Sequence, residues 1–228
     1  MARTRFSGPV ASDNGFEGDI TSSYVQLDTA NPGIDAVGRI VWNPTDQTIH
    51  VALNSHVTLQ IGQEQFYLAK NQSGGTITDG MVVQADGAVG NSGRIKIVPA
   101  LADENTPPIY FMGVATENIP DGSDGFITEF GTVRGINTTG GAENWQDGDI
   151  LYVSGSVAGT MTKIPPTSPT PAIVVAIVLK AANNGSIFVR PTFGETLNQL
   201  HNVNISNPQN GDVLKYNATT RVWYNAAP

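Results

Sequence analysis

The sequence has no cysteine, so neither a disulfide nor a thiolate metal site can contribute to its 228 residues. It is also poor in charge: Asp, Glu, Lys and Arg make up 14% of it, against roughly 25% in ordinary soluble domains. A surface so short of charge either carries Ser, Thr, Asn and Gln instead or is partly covered by a partner, and the second option favours a homo-oligomer. Basic surplus is missing too. The net charge of −8 repels phosphate backbones and excludes nucleic acid as a partner. No segment approaches the ~20 apolar residues of a membrane span. The longest apolar run, Ala172-Ile-Val-Val-Ala-Ile-Val-Leu179, is short and β-branched, which predicts a strand buried on both faces at the centre of a core. Behind the two arginines of Met1–Pro9 there is no apolar run, so a secretory signal is not expected and assembly in the cytoplasm is. Helical spacing, apolar at i, i+3 and i+4 over three turns, is absent. Aromatic residues are few (7%) and scattered, so no sugar-stacking platform is visible.

What the chain does have is turn chemistry: 25 Gly and 14 Pro, arranged between short β-rich runs. Ile109–Thr116, Phe126–Phe130, Gly131–Ile136 and Asp147–Val153 are such runs, and Asp121-Gly-Ser-Asp-Gly125 and Asp147-Gly148 are such turns. Short strands bounded by turns of this kind predict an all-β fold, an antiparallel β-barrel or sandwich. Further strands are expected at Phe66–Lys70, Met81–Ala85, Arg94–Val98 and Thr160–Ile164. Ile173–Lys180 and Ser186–Arg190 read as a hairpin turning at Asn184-Gly185, a pair that tolerates positive φ.

Four regions follow. Residues 1–36 are polar and lack periodicity, an extended arm whose sparse apolar residues Phe6, Val10, Phe16, Ile20 and Tyr24 suit docking on a neighbouring surface. Residues 37–63 form a small antiparallel β-meander. In it Ile49, Val51 and Leu53 alternate with His50 and Ala52, and Val57, Leu59 and Ile61 alternate with Thr58 and Gln60; period two means one face in and one face out. Residues 64–194 form the barrel. Residues 195–228 form a C-terminal hairpin in which Leu214 and Tyr216 meet Val222 and Trp223. So small a hairpin is marginal alone, and packing against identical copies around an axis would bury those four side chains.

Chemistry is hard to find. The histidines, His50, His56 and His201, have no ligand spacing; His50 and His56 flank a turn and read as a solvated cross-strand pair. Ser154-Gly-Ser-Val-Ala-Gly159 lacks the order of a nucleophile elbow. Glycoside hydrolysis would need two placed acids. The candidates Glu117, Asp121, Asp124, Glu129, Asp147 and Asp149 sit mostly in turns, where Asp stabilises the backbone locally. The turns at Asp121/Asp124 and Asp147/Asp149 could suit Ca²⁺ but lack the full pattern of a calcium loop. No catalytic residue, cofactor or metal ligand is expected.

Ile77-Thr-Asp-Gly-Met-Val-Val83, Met112-Gly-Val-Ala115, Ile119–Phe126, Phe130-Gly-Thr-Val-Arg-Gly135, Asp147-Gly-Asp-Ile-Leu-Tyr152 and Gly185-Ser-Ile-Phe-Val-Arg190 form an ordered series. It resembles the small β-barrel capsid-cement (decoration) proteins of tailed phages and the barrel modules of phage fibres. Leu200-His-Asn-Val203, Gly211-Asp-Val-Leu-Lys-Tyr216 and Val222-Trp-Tyr-Asn225 resemble a short repeat of phage tail fibres, and Ser7-Gly-Pro-Val10 with Asn14-Gly-Phe16 resembles the start of phage structural proteins. The resemblance implies a non-enzymatic homotrimer on the virion surface, with the major capsid protein or other virion proteins as partners. The expected role is capsid decoration or head fibre. The alternative is a short tail fibre or fibre adaptor, which would add a host-surface glycan as partner; a polysaccharide depolymerase comes third.

Overall fold

The computed structural model describes residues 24–27, 29, 36–103, 107–192, 197 and 200–228. The attachment residues expected on the arm, Phe6, Val10, Phe16 and Ile20, lie outside them. Among the described residues the fold is all-β, with three sheets and three short 3₁₀ turns.

The first sheet is a meander of β1 (Ile40–Asn43), β2 (Thr48–Ala52) and β3 (Thr58–Gln60). Its register places Ile40 opposite Val51, Trp42 opposite Ile49, and Val51 opposite Leu59. Directly opposed residues share a face, so these five apolar side chains lie together. The other face carries Thr48, His50, Ala52 and Gln60, all buried, while Ile49, Val51, Trp42 and Leu59 are half-buried and Ile40 is exposed. Alternation announces two faces without saying which turns inward, and here the polar one does. Most of these polar groups are paired: Thr48 Oγ1 donates to the Ile61 carbonyl, His50 Nδ1 meets Asn43 Nδ2 at 3.4 Å, and Gln60 Oε1 accepts from Arg134 at 2.9 Å. His50 Nε2, 2.9 Å from the Asp46 carboxylate, has no hydrogen bond of good geometry. His50 pairs with Gln60 across the sheet and not with His56, which is exposed in the turn.

The barrel follows: β4 (Gln65–Asn71), β5 (Val82–Val89), β6 (Arg94–Pro99), β7 (Phe111–Ala115) and β8 (Asp124–Ile136). The order β8-β4-β6-β5-β7 closes because β7 also pairs with β8. One pair, β4 with β6, is parallel, so the barrel is mixed where an antiparallel one was expected. Ala69, Val83, Ile97, Ala115 and Ile127 fill it, with Ile77 and Ile119 closing one end. The lumen is a packed core.

β8 is one strand of 13 residues, where the sequence suggested two. No turn intervenes at Gly131. Its φ of 129° bends the strand, and a Cβ there would lie 2.6 Å from Glu64 Cγ, so glycine serves both the bend and the close approach. Past the bend β8 leaves the barrel and pairs with β12 (Gly185–Thr192), which continues through β11 (Val174–Lys180) and β9 (Ile150–Val153) to β10 (Met161–Thr162). The inner face of this extension packs on the outside of β5 and β7. Val133, Leu151, Val175, Val178, Ile187 and Val189 meet Val82, Phe111 and Val114 in a second core.

Two local expectations change. β11 is flanked by strands on both edges, yet only one of its faces is covered: Val175, Ala176 and Val178 are buried while Ile177 and Leu179 are exposed. The Asn184-Gly185 turn does not use positive φ; neither residue has it. Gly185 is required there for space, since a Cβ would lie 1.8 Å from Thr138 Oγ1, the hydroxyl that donates to the Lys180 and Ala182 carbonyls and closes the loop.

The third sheet is C-terminal: β13 (Val203–Asn204), β14 (Val213–Asn217) and β15 (Val222–Ala226), in the order β13-β15-β14. A parallel strand thus joins the expected hairpin.

Candidate functional site

All the candidate carboxylates except Glu129 have structural work. Glu117 accepts from both sides: Asn54 Nδ2 of the meander at 3.0 and 3.1 Å and the backbone N–H of Phe126 at 3.0 Å. Asp121 accepts from the Gly74 N–H at 2.9 Å. Asp124 stands 3.4 Å from Lys70 and 3.5 Å from Arg94, and Asp147 accepts from the Ala181 N–H at 2.7 Å. Asp149 is held below the usual carboxylate range, first by the Gln146 N–H and then by Lys163. Glu129 is exposed. Among the described residues no group of three His, Asp or Glu side chains could hold a metal ion. Ser154 accepts from the N–H groups of Ser156 and Val157, a turn-stabilising hydroxyl.

The uncovered apolar faces are more telling. On the C-terminal sheet, Tyr216 opposes Trp223, Leu214 opposes Asn225 and Val203 aligns with Trp223. Leu214, Tyr216, Trp223 and Val203 therefore share one face, with the two rings 5.1 Å apart; Val222, opposite Asn217, lies on the other. None of residues 201–228 is buried. Trp223 stays 41% exposed and Tyr216 50%, although they are among the largest apolar groups the sheet has. The meander also gathers Ile40, Trp42, Ile49, Val51 and Leu59 on one face, where Ile40 is exposed and the other four are half-buried. A third row crosses the barrel extension, where Ile150 opposes Ile177 and Ile177 opposes Phe188; Phe130 packs edge-on against Phe188 at 5.1 Å.

No protein-family model matches the sequence, and no curated protein does. Among solved structures, the chain is similar to the crystal structure of the head fiber gp8.5 N base in bacteriophage phi29. Identity is 19%, over 59% of this chain and 100% of that chain, with a TM-score of 0.34. At that TM-score the overlap is partial and speaks neither to function nor to partners.

Where meander and barrel meet, a different surface forms. Glu64, just before β4, is buried and accepts from the Gln60 and Thr132 N–H groups and from Arg134 Nη1 at 2.9 Å. This clasp joins β3, β4 and β8, and beside it opens a pocket of about 370 Å³. The isolated bridge between Ile77 and Ile119 sets Asp79 beside Asn118, whose Oδ1 accepts from the Asp79 N–H at 3.0 Å. Asp79 is exposed overall, but desolvation of its carboxyl against the pocket wall raises it to about 6; the Gly80 N–H opposes the shift and the charge of Glu117 adds to it. Sequence reasoning missed Glu64, Arg134, Asp79 and Asn118. Glu64 and Arg134 are 70 positions apart, and nothing local in either stretch announces the partner.

Proposed function

We propose that this chain is a non-enzymatic structural protein of a tailed-phage virion, a capsid decoration (cement) or head-fibre protein that binds and stabilises the outer surface of the head. The observation that carries this is the contrast between a filled barrel and uncovered apolar faces on the two flanking sheets. A three-stranded sheet without one buried residue has an apolar face that calls for a covering layer, and contiguous exposed apolar surface marks an interaction site. The C-terminal face of Leu214, Tyr216 and Trp223 is uncharged at these three side chains, with the Asp212 carboxylate tied back by Asn225 at its edge, so copies of a chain with net charge −8 can meet over its apolar part. We assign this face as the contact of a homotrimer, with Val222 supporting the sheet from its other side. The N-terminal arm, with Phe6, Val10, Phe16 and Ile20, is then the segment that reaches the major capsid protein. The phage setting rests on the glycine-and-turn series that resembles capsid-cement proteins.

Purified full-length protein should bind isolated capsids lacking tails, saturably, with copy numbers in the hundreds per particle. Binding confined to tails would defeat the head assignment and favour a tail-fibre role.

A further inference from the structure

We propose that the pocket between meander and barrel binds a single ring of a neutral sugar, a site independent of the apolar faces above and of where on a virion the protein sits. The volume, about 370 Å³, lies at the small end of the roughly 300–1,000 Å³ usual for small-molecule sites. It suits one ring at the end of a glycan.

The case rests on which polar groups are spent and which are not. The groups that build the pocket are spent: Glu64 on the clasp, Glu117 on Asn54 and the Phe126 N–H. Those that point into it keep capacity. Arg134 uses only Nη1, so Nη2 retains its donors among the described residues. Asn118 uses only its oxygen, leaving two N–H donors. The Asp79 carboxyl, at the rim, takes a backbone hydrogen bond from Gly80 and can accept more. The hydroxyls of Thr58 and Thr132, also lining the pocket, can act either way. Phe66 supplies an apolar wall, backed by Phe126 with ring centres 6.4 Å apart.

Alternating donors and acceptors around one apolar face match a pyranose, whose hydroxyls both donate and accept while its C–H face is apolar. Other ligands fit less well. An anion such as phosphate would meet Glu64, Glu117 and Asp79, and an apolar ligand would strip water from groups it could not pair.

The test uses the full-length protein and ligand-observed saturation-transfer NMR with free glucose, galactose and N-acetylglucosamine, with inorganic phosphate followed in parallel. Saturation transfer to at least one sugar is expected, together with no binding of phosphate. Asp79→Ala and Asn118→Asp should each weaken that sugar on the order of tenfold, the loss of one good hydrogen bond. Asn118→Asp keeps the acceptor for the Asp79 N–H, removes the two donors and adds a charge to which a neutral sugar is nearly indifferent, so a loss of binding with an unchanged melting temperature cannot be blamed on misfolding. No transfer to any of the three sugars overturns the proposal. So does transfer that survives both substitutions, or preferential binding of phosphate. Capsid binding is unaffected by either result.

Discussion

The barrel and the C-terminal sheet are written in the same vocabulary of short strands and Gly- or Asn-led turns, yet they solve the burial problem differently. In the barrel, Ile97, Ile127 and Val83 have no exposed surface, and β8 spends one half on the closed barrel and the other on a sheet that folds back over it. The C-terminal sheet has its own strand ladders and side-chain bonds, as when Asn225 bonds Ser206 and Asp212, and still leaves Tyr216 and Trp223 open. Both regions are hydrogen-bonded sheets. Burial is complete in only one, and it is burial that drives folding. The barrel is therefore a self-sufficient body, and the sheet is the part that the proposed trimer contact would complete.

That contrast can be tested by substitution. Ile127→Ala empties a fully buried position and should cost about 2–5 kcal/mol in chemical unfolding; a loss below ~1 kcal/mol would mean the barrel core is not what holds the fold. Glu64→Ala removes the clasp between meander and barrel. It should cost about 2–3 kcal/mol, less than a fully buried pair because Arg134 is half exposed, and Glu64→Gln should restore part of it. An unchanged stability would show that the meander is not fastened there.

A smaller effect is expected at Asp79, whose folded-state pKa of about 6 lies above its ordinary 3.8. For an acid raised in this way the fold favours the protonated form. Its contribution to stability is complete below pH 3.8 and disappears as pH climbs through about 6. Asp79→Asn should flatten that decline and raise stability at neutral pH, by less than ~1 kcal/mol since the side chain is open to water. A variant whose stability falls with pH as steeply as the parent's would contradict the assignment. Smallest of all for the barrel, Trp223→Ala should leave its unfolding within about 0.5 kcal/mol of the parent, the usual range for surface positions.

Much of this architecture is legible in the chain itself. The strands around Phe66–Lys70, Arg94–Val98 and Ser186–Arg190 follow from β-branched runs between turns, and the pairing of Tyr216 with Trp223 follows from the Asn217–Thr220 turn. What the residues do not disclose is orientation. Ile49 and Val51 announce a two-faced strand. Only the distant Glu64–Arg134 pair, which captures Gln60 from the polar side, explains why Thr48 and His50 turn inward. Ala172–Leu179 reads as buried on both faces because its composition is uniform, but no layer covers Ile177. Gly131 resembles a turn residue until the side chain of Glu64 is seen lying against it. The carboxylates show the same limit: turn spacing makes Asp149 a local acceptor for the Gln146 N–H, but Asp121 and Asp147 accept from the distant N–H groups of Gly74 and Ala181, and Asp79 becomes unusual only through desolvation and the nearby charge of Glu117.

The central claim, that the outlying sheets are completed by sister copies, is tested most directly by the solution mass. Sedimentation equilibrium of the full-length protein should give three times the 24.1 kDa chain mass, falling toward the single-chain value in Trp223→Ala. A parent protein that remains at 24.1 kDa across the concentration range, or a trimer untouched by that substitution, would contradict it.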